Sequence, residues 1–213
     1  QLAPLPLLVG IDQEGGRVCR LKERDGFAPC VSAASLGGES PAVVAEHAEA
    51  LAAMLAHCGV NLNFAPVVDL ELNPANPIIG RYQRSFSADP ATVVACARAF
   101  VEAHHRLGVG CCLKHFPGHG SAGGDSHLGF VDVTECWQAV ELEPYRSLFA
   151  AGYTDGVMTA HLVHRGLDPS GLPATLSPAV ITGLLRDQLG HRGVVFSDDL
   201  QMRGDLAMYV VDN

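Results

Sequence analysis

The densest group of residues able to do chemistry lies in one glycine-rich segment, KHFPGHGSAGGDSHLGF, from Lys114 to Phe130. It contains one lysine, three histidines and one aspartate among five glycines. So many glycines exclude a helix, and ordering such a segment costs considerable chain entropy. We therefore expect a functional loop here and not a passive connection.

Within this loop, Asp125 and His127 are the best candidates for acid–base chemistry. If the turn folds back, a carboxylate two residues from an imidazole can orient the ring and stabilise its protonated form. By residue type the two side chains are a general acid–base pair.

The same loop also offers ligands for a metal, because His115, His119 and His127 could supply nitrogen atoms to zinc. A metal-dependent hydrolase is therefore an open alternative. Pro117 and Gly118 interrupt the helix that the HExxH geometry requires, which favours a metal-free site.

Two other strings place carboxylates directly after apolar runs. In VVFSDDL, Asp198 and Asp199 are adjacent, and since side chains alternate along a strand, at most one of them is catalytic. In LLVGIDQEGGRVCRL, Asp12 ends the run and is a candidate for binding ligand hydroxyls beside an arginine. Glu14 and Arg17 are expected to form an ion pair that holds the loop.

The elements that position these residues follow a repeated order of strand, loop and helix. Apolar runs begin near Leu7, Asn61, Val109, Gly156 and Gly193. Most of them are continuous, as in strands that are covered on both faces of a parallel sheet. Five strands are therefore predicted.

Capping signals predict the helices between the strands. A serine or aspartate followed by proline starts each helix, and glycine ends it, over Ser40–Gly59, Asp89–Gly108 and Ser177–Gly190. A fourth helix is expected over about 134–151.

Repeated parallel units build either an open doubly wound sheet or a (β/α)8 barrel. The candidate residues follow the carboxyl ends of many successive strands, as in barrel enzymes, whereas a doubly wound sheet has its site at one switch point. We predict an α/β fold of (β/α)8 TIM-barrel type. With five strands instead of eight, residues 1–213 are expected to form a single domain with an incomplete barrel.

Composition excludes several other classes of protein. The formal charge of −9 and the absence of Lys/Arg clusters argue against binding to nucleic acid. No apolar run is long enough for a membrane helix, and no signal peptide is evident. Seven cysteines without CxxC spacing suggest buried thiols in a reducing compartment, hence a cytoplasmic location.

Taken in order, six strings in this sequence resemble the motifs of the single-domain β-N-acetylglucosaminidases of glycoside hydrolase family 3. They are DQEGGRVCRL, NLNFAPVVDL, NPIIGRYQRSFSADP, KHFPGHGSAGGDSH, MTAH and FSDDLQM. The resemblance covers nearly the whole chain, and the long KHFPGHG…DSH motif is highly specific. Relative to the family, the chain resembles barrel strands three to seven.

The resemblance implies a retaining glycosidase acting on β-linked N-acetylglucosamine at a non-reducing end. Asp198 matches the nucleophile, His127 the acid/base and Asp125 its partner. Positions matching those that hold the sugar are Asp12, Arg20, Arg84, Lys114 and His115, and His161 at the end of MTAH is a further substrate-binding candidate. The chemistry implied needs no metal or organic cofactor.

The biological role that the resemblance implies is the trimming of muropeptides during peptidoglycan recycling. Phosphate in place of water as the acceptor, and so phosphorylase activity, stays open. An inactive fragment that binds sugar or a partner chain is a second hypothesis, and the strand edges of a partial barrel are expected to favour self-association.

Overall fold

The computed structural model describes residues 7–124 and 131–200, and it contains one large parallel sheet within them. The sheet consists of β1 (Gly10–Ile11), β2 (Leu62–Asn63), β3 (Gly110–Phe116), β5 (Gly156–Thr159) and β7 (Val195–Ser197). Short strands β4 (Val131–Asp132) and β6 (Leu162–Val163) pair with each other in a second sheet. All five predicted strands are confirmed.

The order of strands distinguishes a barrel from a doubly wound sheet. Neighbours in the sheet follow chain order from β1 to β7 without reversal, whereas a doubly wound sheet reverses at its switch point. The sheet is also curved, because Phe64, which follows β2, contacts Phe196 of β7 with ring centroids 5.4 Å apart. The fold is α/β and of TIM-barrel type, and the described residues form part of a barrel.

Helices connect the strands and begin where the capping signals predict. The helices are α1 (Ala33–Leu36), α2 (Pro41–His57), α3 (Pro90–Arg106), α4 (Glu143–Ala150) and α5 (Ala179–Gln188), the last wound as a π-helix. The side chains of Ser40, Asp89 and Ser177 accept hydrogen bonds from the first turns of α2, α3 and α5 respectively. Each cap satisfies a backbone N–H that has no partner within its helix.

The fourth predicted helix is wrong in its first half. Only a 3-10 turn, Ala139–Leu142, and α4 are helical within the predicted range 134–151. The carboxylate of Asp132 accepts hydrogen bonds from both the N–H and the hydroxyl of Thr134, which fixes a turn there. Pro144 then fits the first turn of α4, where its missing N–H costs nothing.

The main core lies between the sheet and the helices that cover its outer face. Leu113 of β3 and Val157 of β5 pack with Phe100 of α3, Leu148 of α4 and Leu185 of α5, and all five are buried.

Within the described part of the chain, no helix has the length and apolar character needed to cross a membrane.

The prediction that the cysteines are buried holds for Cys19, Cys96, Cys111 and Cys112. It is wrong for Cys58, which caps the end of α2, and for Cys136 in a turn. Both of these thiols are exposed, because each lies where the chain leaves a regular element at the surface.

Candidate active site

A polar cavity of about 330 Å³ opens at the carboxyl ends of β1, β3 and β7. Its size falls within the range of small-molecule sites. The loop after β1 and the segment 78–84 form two of its walls. The lining residues are Asp12, Glu14, Arg17, Val18, Arg20, Ile78, Tyr82, Arg84, Lys114, His115, Asp198 and Asp199.

Lys114 joins two carboxylates at the floor of this cavity. Its ammonium group lies 2.9 Å from Asp12 Oδ1 and 2.7 Å from Glu14 Oε1, and its side chain is only 2% exposed. Burial alone would lower the pKa of Lys114, but Glu14 and Asp12 raise it above its ordinary value. Asp12 also pairs with Arg20 at 3.2 Å and is one-third exposed, so it is within reach of a ligand.

Glu14 also forms a buried ion pair with Arg84. Arg84 donates two hydrogen bonds to its carboxylate, at 2.8 and 2.7 Å, in the bidentate geometry that suits a guanidinium. Burial would raise the pKa of Glu14, but Lys114 and Arg84 hold it far below its ordinary value. The expected partner, Arg17, instead places its guanidinium 4.1 Å from the ring centroid of Tyr82.

His115 is held by hydrogen bonds at both ring nitrogens. Nδ1 lies 2.7 Å from the buried carboxylate of Asp69, and Nε2 lies 3.1 Å from the terminal nitrogen of Arg84. Since a guanidinium can only donate, Nε2 accepts and the ring proton resides on Nδ1. Asp69 therefore fixes the tautomer of a ring that faces the cavity.

An irregularity in β3 allows two consecutive residues to face the cavity. The register with β5 shifts between Lys114 and Phe116, so that Lys114 pairs with Met158 and Phe116 with Thr159. In a regular strand Lys114 and His115 would point to opposite faces. The irregularity brings both side chains to the polar wall.

Asp198 lies at the carboxyl end of β7, on the rim of the cavity. Its backbone N–H donates to the carbonyl of Thr159 at 3.2 Å, and its Oδ1 accepts from the N–H of Asp199 at 2.8 Å. Burial would raise the pKa of Asp198. The neighbouring His115 ring, the backbone N–H of Asp199 and Lys114 instead lower it below its ordinary value. The group is therefore a carboxylate at neutral pH.

His161 is placed behind the cavity and does not line it. The ring is fully buried, with Nδ1 2.8 Å from the hydroxyl of Thr175 and Nε2 3.1 Å from the carbonyl of Asp199. In this structure the ring holds the segment that carries Asp198, and the substrate-binding role of His161 stays a prediction.

Asp125 and His127 lie outside the described residues, but the loop that leads to them is anchored by Glu141. This carboxylate accepts hydrogen bonds from the N–H of Gly120 at 2.8 Å and from the hydroxyl of Ser121. Burial raises the pKa of Glu141 to about 7, even though the bond from Ser121 lowers it. The sequence offered no signal for Glu141, since it lies in an ordinary amphipathic stretch.

The hydrogen bonds of His115 bear on the alternative of a metal-dependent hydrolase, which stays untested because His127, one of its three histidines, lies outside the described residues. Asp69 and Arg84 engage both of its ring nitrogens, so neither is available to a metal. Within residues 7–124 and 131–200, no three histidine, cysteine, aspartate or glutamate side chains are grouped so as to hold a metal ion.

The chain is similar to known proteins over nearly its whole length. Residues 1–212 match the glycosyl hydrolase family 3 N terminal domain. A β-hexosaminidase of Xanthomonas oryzae pv. oryzae is 41% identical over 213 residues, covering 96% of this chain and 62% of the relative. The chain thus spans about three fifths of the length of such relatives.

Solved structures show the same likeness. The β-N-acetylhexosaminidase from Beutenbergia cavernae superimposes with a TM-score of 0.85 at 38% identity, covering 92% of this chain and 59% of that one. NagZ from Neisseria gonorrhoeae in complex with N-trifluoroacetyl-D-glucosamine has a TM-score of 0.80 at 36% identity, covering 91% and 58%. By its sequence and its fold, the chain belongs to glycoside hydrolase family 3, matching the N-terminal domain of that family.

Proposed function

We propose that this chain is the catalytic part of a retaining exo-β-N-acetylglucosaminidase, forming a single domain. The observation that carries the proposal is the cavity itself, where the Asp12, Lys114 and Arg84 network faces an ionised Asp198. A β-hexosaminidase relative at 41% identity and the NagZ complex with an N-acylated glucosamine support the same class of substrate. The paired charges of the cavity suit a neutral, hydroxyl-rich ligand that accepts and donates hydrogen bonds.

The proposed reaction proceeds in two steps. The Asp198 carboxylate bonds to the anomeric carbon as the bond to the leaving oxygen breaks, and His127 gives its proton to that oxygen. Water then gives a proton to His127 and attacks the anomeric carbon, which releases Asp198. Asp125 would orient the His127 ring and stabilise its protonated form.

The residues of the cavity would bind and orient the sugar. Asp12 offers an acceptor at the exposed side of its pair with Lys114, and Arg20 offers a donor beside it. His115 and Arg84, both fixed by their hydrogen bonds, would present a rigid wall. A wall fixed before binding lowers the entropic cost of holding the substrate.

Release of 4-nitrophenol from 4-nitrophenyl N-acetyl-β-glucosaminide tests the proposal. We expect Asp198→Asn to lower kcat/KM by at least about 10³-fold, because it removes the nucleophile. Asp187→Asn, on the exposed side of α5, is the matched control and should retain activity. Full activity in the Asp198 variant would refute the assignment of the nucleophile.

Product analysis tests the stereochemistry and the acceptor. Proton NMR early in the reaction should show the β-anomer of free N-acetylglucosamine, as retention requires. The same assay with inorganic phosphate separates hydrolysis from phosphorolysis, since sugar 1-phosphate would form only in the second. An initial α-anomer of the free sugar would contradict a retaining mechanism.

For the biological role, we propose the trimming of muropeptides in the cytoplasm. The charge of −9 and the mostly buried thiols are compatible with that compartment. Release of N-acetylglucosamine from purified muropeptides is the direct test of this substrate.

An inactive sugar-binding fragment is the second candidate, and the edges of the sheet favour it. Leu8, beside β1, is 65% exposed, and Val194, beside β7, is 60% exposed. Thermal stabilisation by N-acetylglucosamine without any turnover would select this candidate over the enzyme.

A further inference from the structure

The carboxylate of Asp69 lies behind the wall of the cavity, in the segment that follows β2. Its side chain is fully buried and does not line the cavity, and no step of the proposed reaction uses it. The segment runs beside β3, because Val67 pairs with Lys114 and the N–H of Val68 donates to the carbonyl of Lys114 at 2.8 Å. Asp69 is thereby brought against the residue after Lys114, which is His115.

Both oxygens of this carboxylate are occupied by N–H donors. Oδ1 accepts from the backbone N–H of His119 at 2.8 Å, and Oδ2 accepts from Nδ1 of the His115 ring at 2.7 Å. The backbone nitrogen of His115 lies 3.2 Å from each oxygen. Burial would raise the pKa of Asp69, but its interactions with His115 and His119 hold it below its ordinary value. Asp69 is therefore an ionised group, which can only accept hydrogen bonds.

The other ring nitrogen of His115 holds Arg84. A guanidinium has five N–H groups, and four of those of Arg84 have partners. Nε and Nη2 donate to Glu14, Nη2 also donates to His115 Nε2 at 3.1 Å, and Nη1 donates to the carbonyl of Ile78 at 3.3 Å. Within the part of the chain that the structure describes, the second N–H of Nη1 has no partner. Because Arg84 lines the cavity, this N–H is the donor left for a ligand.

A backbone contact closes these hydrogen bonds into a ring. The hydroxyl of Ser85, the residue after Arg84, donates to the carbonyl of Asp69 at 2.6 Å. The links therefore run from Asp69 to His115, from there to Arg84, and through Ser85 back to Asp69. A closed ring of hydrogen bonds holds its members in one arrangement before a ligand binds.

We propose that Asp69 is a positioning residue of the sugar site. By keeping the ring proton of His115 on Nδ1, it leaves Nε2 as an acceptor for Arg84 and so orients the remaining N–H of Arg84 toward an acceptor oxygen of the sugar. In this role Asp69 touches neither the substrate nor the reacting atoms. That the ligand is a sugar rests on the proposed function, whereas the action of Asp69 on His115 does not.

The substitution Asp69→Asn reverses this arrangement with little change in shape. One carboxylate oxygen becomes an NH2 group, which must then face an N–H donor. The backbone N–H of His119 at Oδ1 cannot change, but the His115 ring at Oδ2 can move its proton to the other nitrogen. We therefore expect the NH2 group to take the place of Oδ2 and the ring proton to move to Nε2, where it meets a donor of Arg84.

Proton–nitrogen NMR of protein that carries isotope-labelled histidine reads the tautomer directly. The signals of His115 are those that disappear in His115→Ala. We expect a protonated Nδ1 and an unprotonated Nε2 in the wild-type chain, and the reverse in Asp69→Asn. Thermal melting verifies that each variant is folded. A proton on Nε2 in the wild-type chain would overturn the proposal, and this result stands even if Asp69→Asn does not fold.

Titration with N-acetylglucosamine, followed by NMR, tests the consequence for the sugar. We expect Asp69→Asn to raise Kd by at least about tenfold, because Arg84 loses its orientation. In the His115→Ala background the same substitution should change Kd by less than about twofold, since Asp69 acts through His115. The matched control is Asp168→Asn, which alters a buried carboxylate that accepts hydrogen bonds from Ser170 and does not line the cavity. It should leave Kd and the tautomer of His115 unchanged.

Kinetics add a readout that a purely structural role would not give. With the nitrophenyl substrate, Asp69→Asn should raise KM by a larger factor than it lowers kcat. A reversed tautomer with unchanged affinity for the sugar would overturn the proposal, and so would a loss of affinity with the tautomer unchanged. The expected tautomers in a chain that neither binds nor cleaves the sugar would count against the proposed function and not against the action of Asp69 on His115.

Discussion

At the scale of the residue, the site depends on charges that are buried in pairs. Glu14 has a side chain only 5% exposed and faces Arg84 and Lys114, whose side chains are 9% and 2% exposed. Charges so far from water are tolerated only because each has a partner, and removal of one leaves the others uncompensated.

We therefore predict that Glu14→Gln lowers the free energy of unfolding by about 3–5 kcal/mol, measured by urea denaturation. Asp25→Asn is the control, since its ion pair with Arg24 at 3.7 Å is exposed and should contribute less than about 1 kcal/mol. Equal effects of the two substitutions would contradict the importance assigned to burial.

Glu141 predicts a dependence of stability on pH. Because its pKa is raised from 4.5 to about 7 in the folded chain, its contribution to stability is present below pH 4.5 and is lost as pH rises through 7. The difference in free energy of unfolding between the native protein and Glu141→Gln should fall over that interval by about 2–3 kcal/mol. The exposed Glu135→Gln serves as control, and a difference independent of pH in the Glu141 variant would refute the assignment.

The sequence predicts the residues of the site better than their contacts. Asp12, Lys114, His115 and Asp198 were all expected at strand ends, and all four line the cavity. The partners of Glu14 were not predictable, because Arg84 is far from it along the chain and only the fold brings the two together.

At the scale of the element, the glycine-rich loop after β3 is shaped by close contact between its backbone and the backbone of the segment that contains Leu70. A Cβ on Gly120 would lie 1.8 Å from the carbonyl oxygen of Leu70, which cannot move away as a flexible side chain could. Gly123, in the same loop, has nothing within 4 Å of that position. The loop therefore has no room for a side chain at Gly120 but has room for one at Gly123.

Gly120→Ala should therefore destabilise the protein by at least about 2 kcal/mol and lower its melting temperature, whereas Gly123→Ala should have a much smaller effect. Differential scanning calorimetry of the two variants makes the comparison. An unchanged melting temperature in the Gly120 variant would show that the loop can move away from the Leu70 carbonyl without loss of stability.

Elements with local signals were predicted well, and those that depend on distant contacts were not. The N-terminal caps of α2 and α3 depend on a few adjacent residues, and these helices start as expected. The register shift in β3 depends on its pairing with β5, and no residue near β3 in the sequence signals this shift.

At the scale of the whole molecule, the sheet formed by the described residues ends at β1 on one side and at β7 on the other. Exposed apolar side chains lie beside both edges, namely Leu7, Leu8 and Val194, each 60–65% exposed. Unpaired strand edges flanked by such residues favour association with other chains. Self-association stays a prediction.

Light scattering at increasing concentration provides the test. We expect the average mass to rise above that of one chain, and the double variant Leu8→Lys, Val194→Lys to reduce the rise, because charge at an edge opposes pairing. Leu107→Lys, at the end of α3 away from the edges, is the matched control. Association unaffected by the double variant would place the contact elsewhere.

The order of strands also bears on how the chain folds. Gly10 pairs with Leu62, Leu62 with Gly110, Cys112 with Gly156 and Val157 with Val195, so that each pairing closes a loop of roughly 40 to 50 residues. The entropic cost of closure grows slowly with loop length and is therefore nearly the same for every strand. A chain emerging from the ribosome can add one strand at a time to an edge already formed, without waiting for a distant segment to be synthesised.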